Sequence, residues 1–335
     1  MSHAPPSPPA PSTPQPAEAP RAAARPGNPI ASVVMPTKNR KEDLRRAILS
    51  CFDQTVPVEI IVRDDGSTDG TDEMVRREFP MVNYARHEKS VGSIRSRNEA
   101  VAAASTAIII SLDDDAAFAS PRTVEQTLQD FKPPRVGAVG MPYIDVLKHP
   151  GVEQVAPDKE HVWLTPFFRG CAAAWRRDVF LALGGYSFAL FHHHEEPELC
   201  QRFLDAGFVT RLGTADPVHH YESPKRNSRM LASLTARNSI LLGIMNAPIY
   251  MLPFHVIGAA ANALLWGMRT GNTADCLRGA LRGALDTPVG WHYRRPMNTR
   301  AYFLYRWLRR HPRATLEQVA HRLPVWRSDP VLPTP

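Results

Sequence analysis

The sequence predicts an α/β fold: a mostly parallel central sheet flanked by helices, with a helical C-terminal tail. Three observations carry this. Short apolar, β-branched runs alternate with stretches of helical periodicity. The connections between them are short, which suits strand–helix–strand crossovers. The clusters PTKNR, DDGSTD and DDD each stand at the carboxyl end of one of these runs, where ligands bind in open parallel sheets.

Taken in order, ASVVMPT from Ala31 reads as a buried strand. In residues 41–53, Leu44, Ile48, Leu49 and Phe52 recur near helical spacing. A second β-branched run at 59–62 leads into DDGSTDGTD; 71–79 reads as helix and 82–86 as strand. An alanine-rich helix at 93–105 precedes AIIISL at 107–112, a strong strand running into Asp113, Asp114 and Asp115. Beyond it, 136–141 is a strand, 161–174 is extended, and 177–183 is a short helix ending at the Gly184-Gly185 cap. A helix at 195–206, stopped by Gly207, and a strand at 209–212 complete the regular part.

The chain of 335 residues holds one large α/β domain and a tail. Residues 1–29 are so dense in proline and alanine that they bury too little apolar surface to order, and are expected to be disordered. The α/β domain is expected at 30–238 and a C-terminal region at 239–335, separable near residue 239. The net charge is +7, and the four cysteines lack zinc-site spacing, which fits a reducing compartment. No secretory signal is visible.

Asp113 and Asp115 stand at i and i+2 beyond a buried strand. Paired carboxylates there can converge on one hard divalent cation, Mg²⁺ or Mn²⁺, whose remaining ligands come from phosphate and water. Asp64 and Asp65 can accept hydrogen bonds from a nucleobase or ribose, as acids at a strand end do in dinucleotide folds. From Asp65 the run imitates a calcium loop, but its twelfth position is Arg76 rather than glutamate. Pro36, Thr37, Asn39 and Arg40 follow the first strand, where a nucleotidylyltransferase or dehydrogenase would carry a glycine-rich phosphate loop; none is present. Arg95, Arg97 and Asn98 open the next helix, and their guanidinium groups can face a base or diphosphate. In HHHEE, Glu195 and Glu196 offer a carboxylate to take a proton from an attacking hydroxyl; the zinc-protease pattern fails because Glu198 stands at the second histidine. His219 and His220 follow a short strand and can reach a metal or phosphate.

Together these segments resemble glycosyltransferase family 2. VVMPTKNR, DDGSTDGT, VGSIRSRNEAVAAA, IISLDDDA, FFRGCAAAWRRDVFLALGGYSF, EEPELCQRFLDAG and VHHYES stand in the family's order. The resemblance implies a GT-A fold and an inverting transfer from a nucleotide diphosphate sugar to an acceptor hydroxyl. It implies base contacts from Pro36, Thr37 and Asp65 beside Asp64, and a nucleotide-facing Arg97; Asn39, Arg40 and Asp114, from their places in the same clusters, are further candidates for the nucleotide sugar. It implies metal binding by Asp113 and Asp115, with Asp115 the direct ligand, and Glu196 as base; His220, from its place after the short strand, is a candidate further ligand beside a purely structural role. A glutamate replaces the family's usual aspartate at 196, so Glu195 stays open as the alternative. The acids at 113, 115 and 196 argue against a non-catalytic sugar-nucleotide sensor.

Residues 240–268 contain no Asp, Glu, Lys or Arg, and the stretch after them has twelve arginines against four acids, interleaved with aromatics. This composition fits an interfacial segment first, with a buried helical cap and a spanning helix, weakened by Pro248 and Pro253, as the alternatives; the interfacial reading puts the enzyme at the inner, cytoplasmic face of the membrane, where a glycan or lipid-linked acceptor is presented. No nucleic-acid-binding motif accompanies the basic stretch, so no nucleic acid is expected.

Overall fold

The computed structural model describes residues 27–222 and 228–325. Most of the predicted disordered segment therefore lies outside the described residues, as does Trp326. Along the chain run β1 (Ala31–Thr37), α1 (Lys41–Phe52), β2 (Val58–Asp64), α2 (Thr71–Glu78), β3 (Asn83–Arg86), α3 (Ser93–Ala103), β4 (Ile108–Leu112) and β5 (Ala116–Phe118). Then come α4 (Thr123–Gln129), β6 (Val136–Gly140), β7 (Tyr143–Asp145), β8 (His149–Glu153), β9 (Ala172–Arg176), α5 (Arg177–Ala182), α6 (Glu195–Asp205), β10 (Val209–Leu212) and β11 (Val218–His220). The last part holds α7 (Ser228–Asn246), α8 (Leu252–Thr270), α9 (Thr273–Leu285), α10 (Thr287–His292), α11 (Thr299–Leu308) and α12 (Leu316–Val319).

The main sheet has seven strands in the order β10-β6-β9-β4-β1-β2-β3. All neighbours are parallel except β9, which runs antiparallel to both β4 and β6. The central strands are buried on both faces, so they read as unbroken apolar runs rather than alternating ones. Alternation reappears in what they touch. Val33, Met35, Ile108 and Ile110 join a core with α1, α2 and α11. Val34 and Ile109 face α3, α5, α6 and α7 instead. Fully buried Trp175 anchors that second layer, with Phe168, Phe180 and Tyr186 at ring-centroid distances of 5.6, 5.3 and 5.9 Å.

The structure departs from the sequence reading in three places. The extended stretch expected at 161–174 forms a strand only from Ala172, with isolated bridges at Trp163 and Leu164. A second sheet, β5-β11-β7-β8, was not foreseen because its strands are three to five residues long and individually patternless. The boundary expected at 238/239 falls inside α7. Ile240, Leu241, Ile244 and Met245 are fully buried in the second core, so α7 is continuous with the sheet's packing rather than a detachable tail. Beyond α7 the packing loosens: α8 lies along α7 and α9 with Phe254, Ile257 and Met268 exposed.

Candidate active site

A cleft of about 1260 Å³ opens at the carboxyl ends of β1, β2 and β4. Its floor is the joint between the two sheets. The main sheet ends at Leu112, Asp113–Asp115 make the turn, and β5 begins the second sheet at Ala116. β11 pairs antiparallel with β5 and sets His220 opposite Ala116. That pairing places His220 Nε2 3.4 Å from Asp115 Oδ1. The ligand atoms of Asp113, Asp115 and His220 lie within 4.8 Å of one another. Two carboxylates and an imidazole suit a borderline-hard divalent ion such as Mn²⁺. The buried Nδ1 of His220 has no hydrogen-bond partner and lies 3.9 Å from Asp145 Oδ2, the kind of carboxylate that orients a ligating histidine.

Charges around the three aspartates are graded. Burial pushes Asp114 up to about 7, against the pull of Arg40. Burial also raises Asp115, but His220 and Arg40 outweigh it and hold that carboxyl at about 2. Arg40 donates to Asp115 Oδ2, and Thr37 Oγ1 donates to Asp114 Oδ2 at 2.8 Å. Asp113 pairs with buried Arg97. Burial works against the Arg97 charge, yet Asp113, with Glu196 and Glu195 further off, holds its pKa above the ordinary value.

The loops after β1 and β2 are tied together. Asn39 Oδ1 accepts from the Thr68 amide at 2.7 Å, and the Asn39 amide donates to Ser67 Oγ at 2.9 Å. Asp65 lines the cleft and accepts from the Val91 and Gly92 amides at 2.5 and 3.0 Å. Two expected nucleotide contacts lie outside the cleft lining. Asp64 is fully buried, with one oxygen accepting from the Ser67 amide at 2.7 Å and the other from Tyr84 OH at 2.6 Å, so it builds the turn and does not line the cleft. Asn39 likewise sits outside the lining and acts as a strut between loops. Asn98 spends its amide on Tyr186, donating to the carbonyl and accepting from the N–H at 2.9 Å each, and Arg95 pairs with Glu99.

The opposite wall is the start of α6. Glu195 is 3% exposed, and its Oε2 has no hydrogen-bond partner. Glu196 is half-buried and lines the cleft. Gly170 makes room for it: a Cβ there would lie 2.7 Å from Glu196 Oε1 and 3.0 Å from Arg97 Nη1. Burial raises the Glu196 carboxyl, and Glu195 beside it raises it further. The chain enters α6 through His193 and His194, both left-handed at φ 67 and 72, which costs an ordinary side chain about 1–2 kcal/mol each. Fully buried Asn238 of α7 holds this turn, donating to the His192 and His193 carbonyls at 2.8 Å each. Sequence reasoning missed Asn238, although an asparagine inside an apolar helical run is the kind of signal that finds such a clamp. It also missed Gly170 as a spacer, and Arg309 and Arg310 as cleft residues.

A glycosyl transferase family 2 model matches residues 32–195, which carry β1 through the start of α6. That match covers just under half of the chain, and residues 32–195 are the part that is similar to the family. Glycosyltransferase AglE of Haloferax volcanii is 31% identical over 93 residues, 26% of this chain and 31% of that protein. Succinoglycan biosynthesis protein ExoU of Rhizobium meliloti is 30% identical over 101 residues, 29% and 30% of the two. The chain thus spans under a third of these curated relatives. Among solved structures, mannosyltransferase PcManGT of Pyrobaculum calidifontis, in complex with GDP-Man and Mn²⁺, superposes with a TM-score of 0.54 at 20% identity, covering 80% of this chain and 84% of that one. GalNAc-T7 with UDP, GalNAc and Mn²⁺ gives 0.55 at 19% identity, covering 79% and 58%. The fold is the GT-A glycosyltransferase fold.

Proposed function

We propose that this protein is an inverting glycosyltransferase that moves a sugar from a nucleotide diphosphate donor to an acceptor hydroxyl in glycan biosynthesis. The observation that carries the reading is one cleft with two chemically distinct walls. Asp113, Asp115 and His220 stand on one side, Glu196 on the other, and Arg97 lies between them, paired with Asp113 and close to Glu196 beside Gly170. Mg²⁺ or Mn²⁺ held by the trio would neutralise the departing diphosphate. Asp65, with Pro36 and Thr37, faces the base and ribose. Glu196 takes the proton from the acceptor oxygen as it attacks the anomeric carbon, and the bond to the diphosphate breaks from the opposite face. The half-buried Glu196, open to the cleft, suits the base better than Glu195, which is more deeply covered.

The acceptor is presented at the cytoplasmic face of a membrane. Ile249–Thr270 is long and apolar enough to cross a bilayer by length and composition, and its most apolar window is unburied. Yet α8 packs against α7, whose other side is locked in the catalytic core. A helix held flat in this way lies on a bilayer rather than through it. Leu277, Leu281 and Leu285 of α9 extend the same exposed apolar surface, with Arg278 exposed beside them.

Donor hydrolysis with and without Mn²⁺ tests the chemistry. Metal-dependent release of nucleoside diphosphate is expected from the wild type and not from Asp115→Ala; undiminished wild-type release in excess EDTA, with wild-type rates in the variant, would refute it. Sedimentation with anionic vesicles tests the surface: Phe254→Glu/Ile257→Glu should stay in the supernatant, and unchanged pelleting would remove α8 from the membrane contact.

A further inference from the structure

The cleft does not end at the catalytic wall. It continues past His194 and Ser239 into an arm between α7 and α8, bordered by Ala236, Ala259, Ala263 and Trp266. The two helices touch closely at Gly243, where a Cβ would lie 2.4 Å from the His255 ring. Farther along, Gly258 lines the cleft, and a Cβ there would meet no atom within 4 Å. The arm is thus an open apolar slot with small side chains along it. Its mouth includes Phe254, which is also 68% exposed on the outer face of α8, so slot and membrane-facing surface are continuous.

A second feature shares this cleft. Arg306, Arg309 and Arg310 at the end of α11 all line it. Arg306 lies in the last turn of α11, Arg309 caps it and Arg310 follows, so the three are close together in the chain at the end of the helix. Among the described residues, no carboxylate pairs with any of the three. Arg306 is steadied by donating to Tyr302 OH at 3.2 Å. In the transferase reading above, the donor diphosphate is met by the metal trio, so these arginines are left for a second anion. Three unneutralised guanidinium groups at the entrance to an apolar slot fit an anion joined to a hydrocarbon chain.

We propose that the α7–α8 slot takes the hydrocarbon chain of a phosphate-bearing lipid acceptor, and that Arg306, Arg309 and Arg310 hold its phosphate. This rests on the transferase reading above and names the acceptor class for it. The slot faces the surface that would meet a bilayer, so the occupant is a membrane lipid rather than a free phosphate ester.

Decyl phosphate and decyl glucoside, each below its micelle concentration, and inorganic phosphate can be titrated into the full chain by calorimetry. Burying even four methylenes should make decyl phosphate bind on the order of 10²-fold tighter than inorganic phosphate. Arg309→Ala/Arg310→Ala should weaken decyl phosphate at least about tenfold, the loss of one charge-assisted contact or more, and leave decyl glucoside unchanged. Gly258→Leu should weaken both decyl ligands and leave inorganic phosphate unchanged. Equal affinity of the wild type for decyl phosphate and inorganic phosphate would overturn the proposal without any variant. So would insensitivity of decyl phosphate binding to both substitutions. Metal-dependent donor hydrolysis by the wild type is read in parallel. Hydrolysis without a decyl phosphate preference removes the lipid subsite alone, and a preference without hydrolysis removes the transferase reading alone.

Discussion

Replacing Asn238 by alanine should damage turnover far more than donor binding. Its carboxamide donates to the His192 and His193 carbonyls at 2.8 Å each, in a fully buried position. Each bond contributes about 1 kcal/mol net, so about 2 kcal/mol is lost directly. The turn it holds stores about 2–4 kcal/mol in two left-handed residues, His193 and His194. Release of that strain offsets part of the stability loss, and the expected net destabilisation is about 1–2 kcal/mol. The same release lets the turn relax and shifts the N-terminus of α6, which carries Glu195 and Glu196. A general base displaced from its proton costs on the order of 10²-fold in rate. Donor contacts at Asp65 and Asp113 sit on other elements and should hold. The assay is urea unfolding alongside kcat and donor Kd. Asn238→Asp, which keeps the shape and loses both donors, should behave no better than alanine. The reasoning fails if Asn238→Ala keeps wild-type kcat, or if kcat and donor affinity fall together.

The geometry sets further outcomes. Glu196→Gln should lower kcat about 10²-fold, with donor affinity kept; if Glu195→Gln alone shows this loss, the base is the neighbouring residue. Burial, then the adjacent Glu195, raises the Glu196 carboxyl, and the base works only when deprotonated, so turnover should climb with pH through a limb above the ordinary carboxylate range. Removing the like charge in Glu195→Gln should move that limb to lower pH; an upward shift would contradict the pairing. Truncation after residue 239 should unfold the catalytic domain, because Ile240, Leu241, Ile244 and Met245 are fully buried and together contribute about 6–12 kcal/mol against a whole stability of about 5–15 kcal/mol; a soluble, cooperative fragment would show that α7 is dispensable. Gly279→Leu should lower Tm, since a Cβ there would lie 2.1 Å from the Ser233 carbonyl and push α9 off α7.

Much of this protein was legible because local rules and tertiary context agree. Ala31–Thr37 and Ile108–Leu112 are buried on both faces, and a mainly apolar run without polar alternation is what such a strand requires. The acids after them fall at the carboxyl ends of parallel strands, so topology alone puts Asp65 and Asp113 on one rim. Where one residue's role depends on a distant partner, the linear pattern misleads. Asp64 and Asp65 are adjacent and chemically identical, yet one is consumed by Tyr84 and the Ser67 amide while the other lines the cleft. Apolar residues 240–268 read as one stretch, but Ile240–Met245 fills the core while Phe254 and Ile257 face outward, because a run apolar on every side carries no record of which face is covered.

The sequence by itself determined the alternating strands and helices, the acidic rim and the family likeness of the catalytic half. Those properties are set by hydrophobic period and by residues close in the chain. Only the tertiary structure decided that His220 joins Asp115, that Asn238 of α7 clamps the turn before Glu195, and that Arg309 and Arg310 enter the cleft. These groups lie tens to hundreds of residues from their partners, and only the folded backbone, through the pairing of β11 with β5 and the packing of α7 on the sheet, brings them within bonding distance.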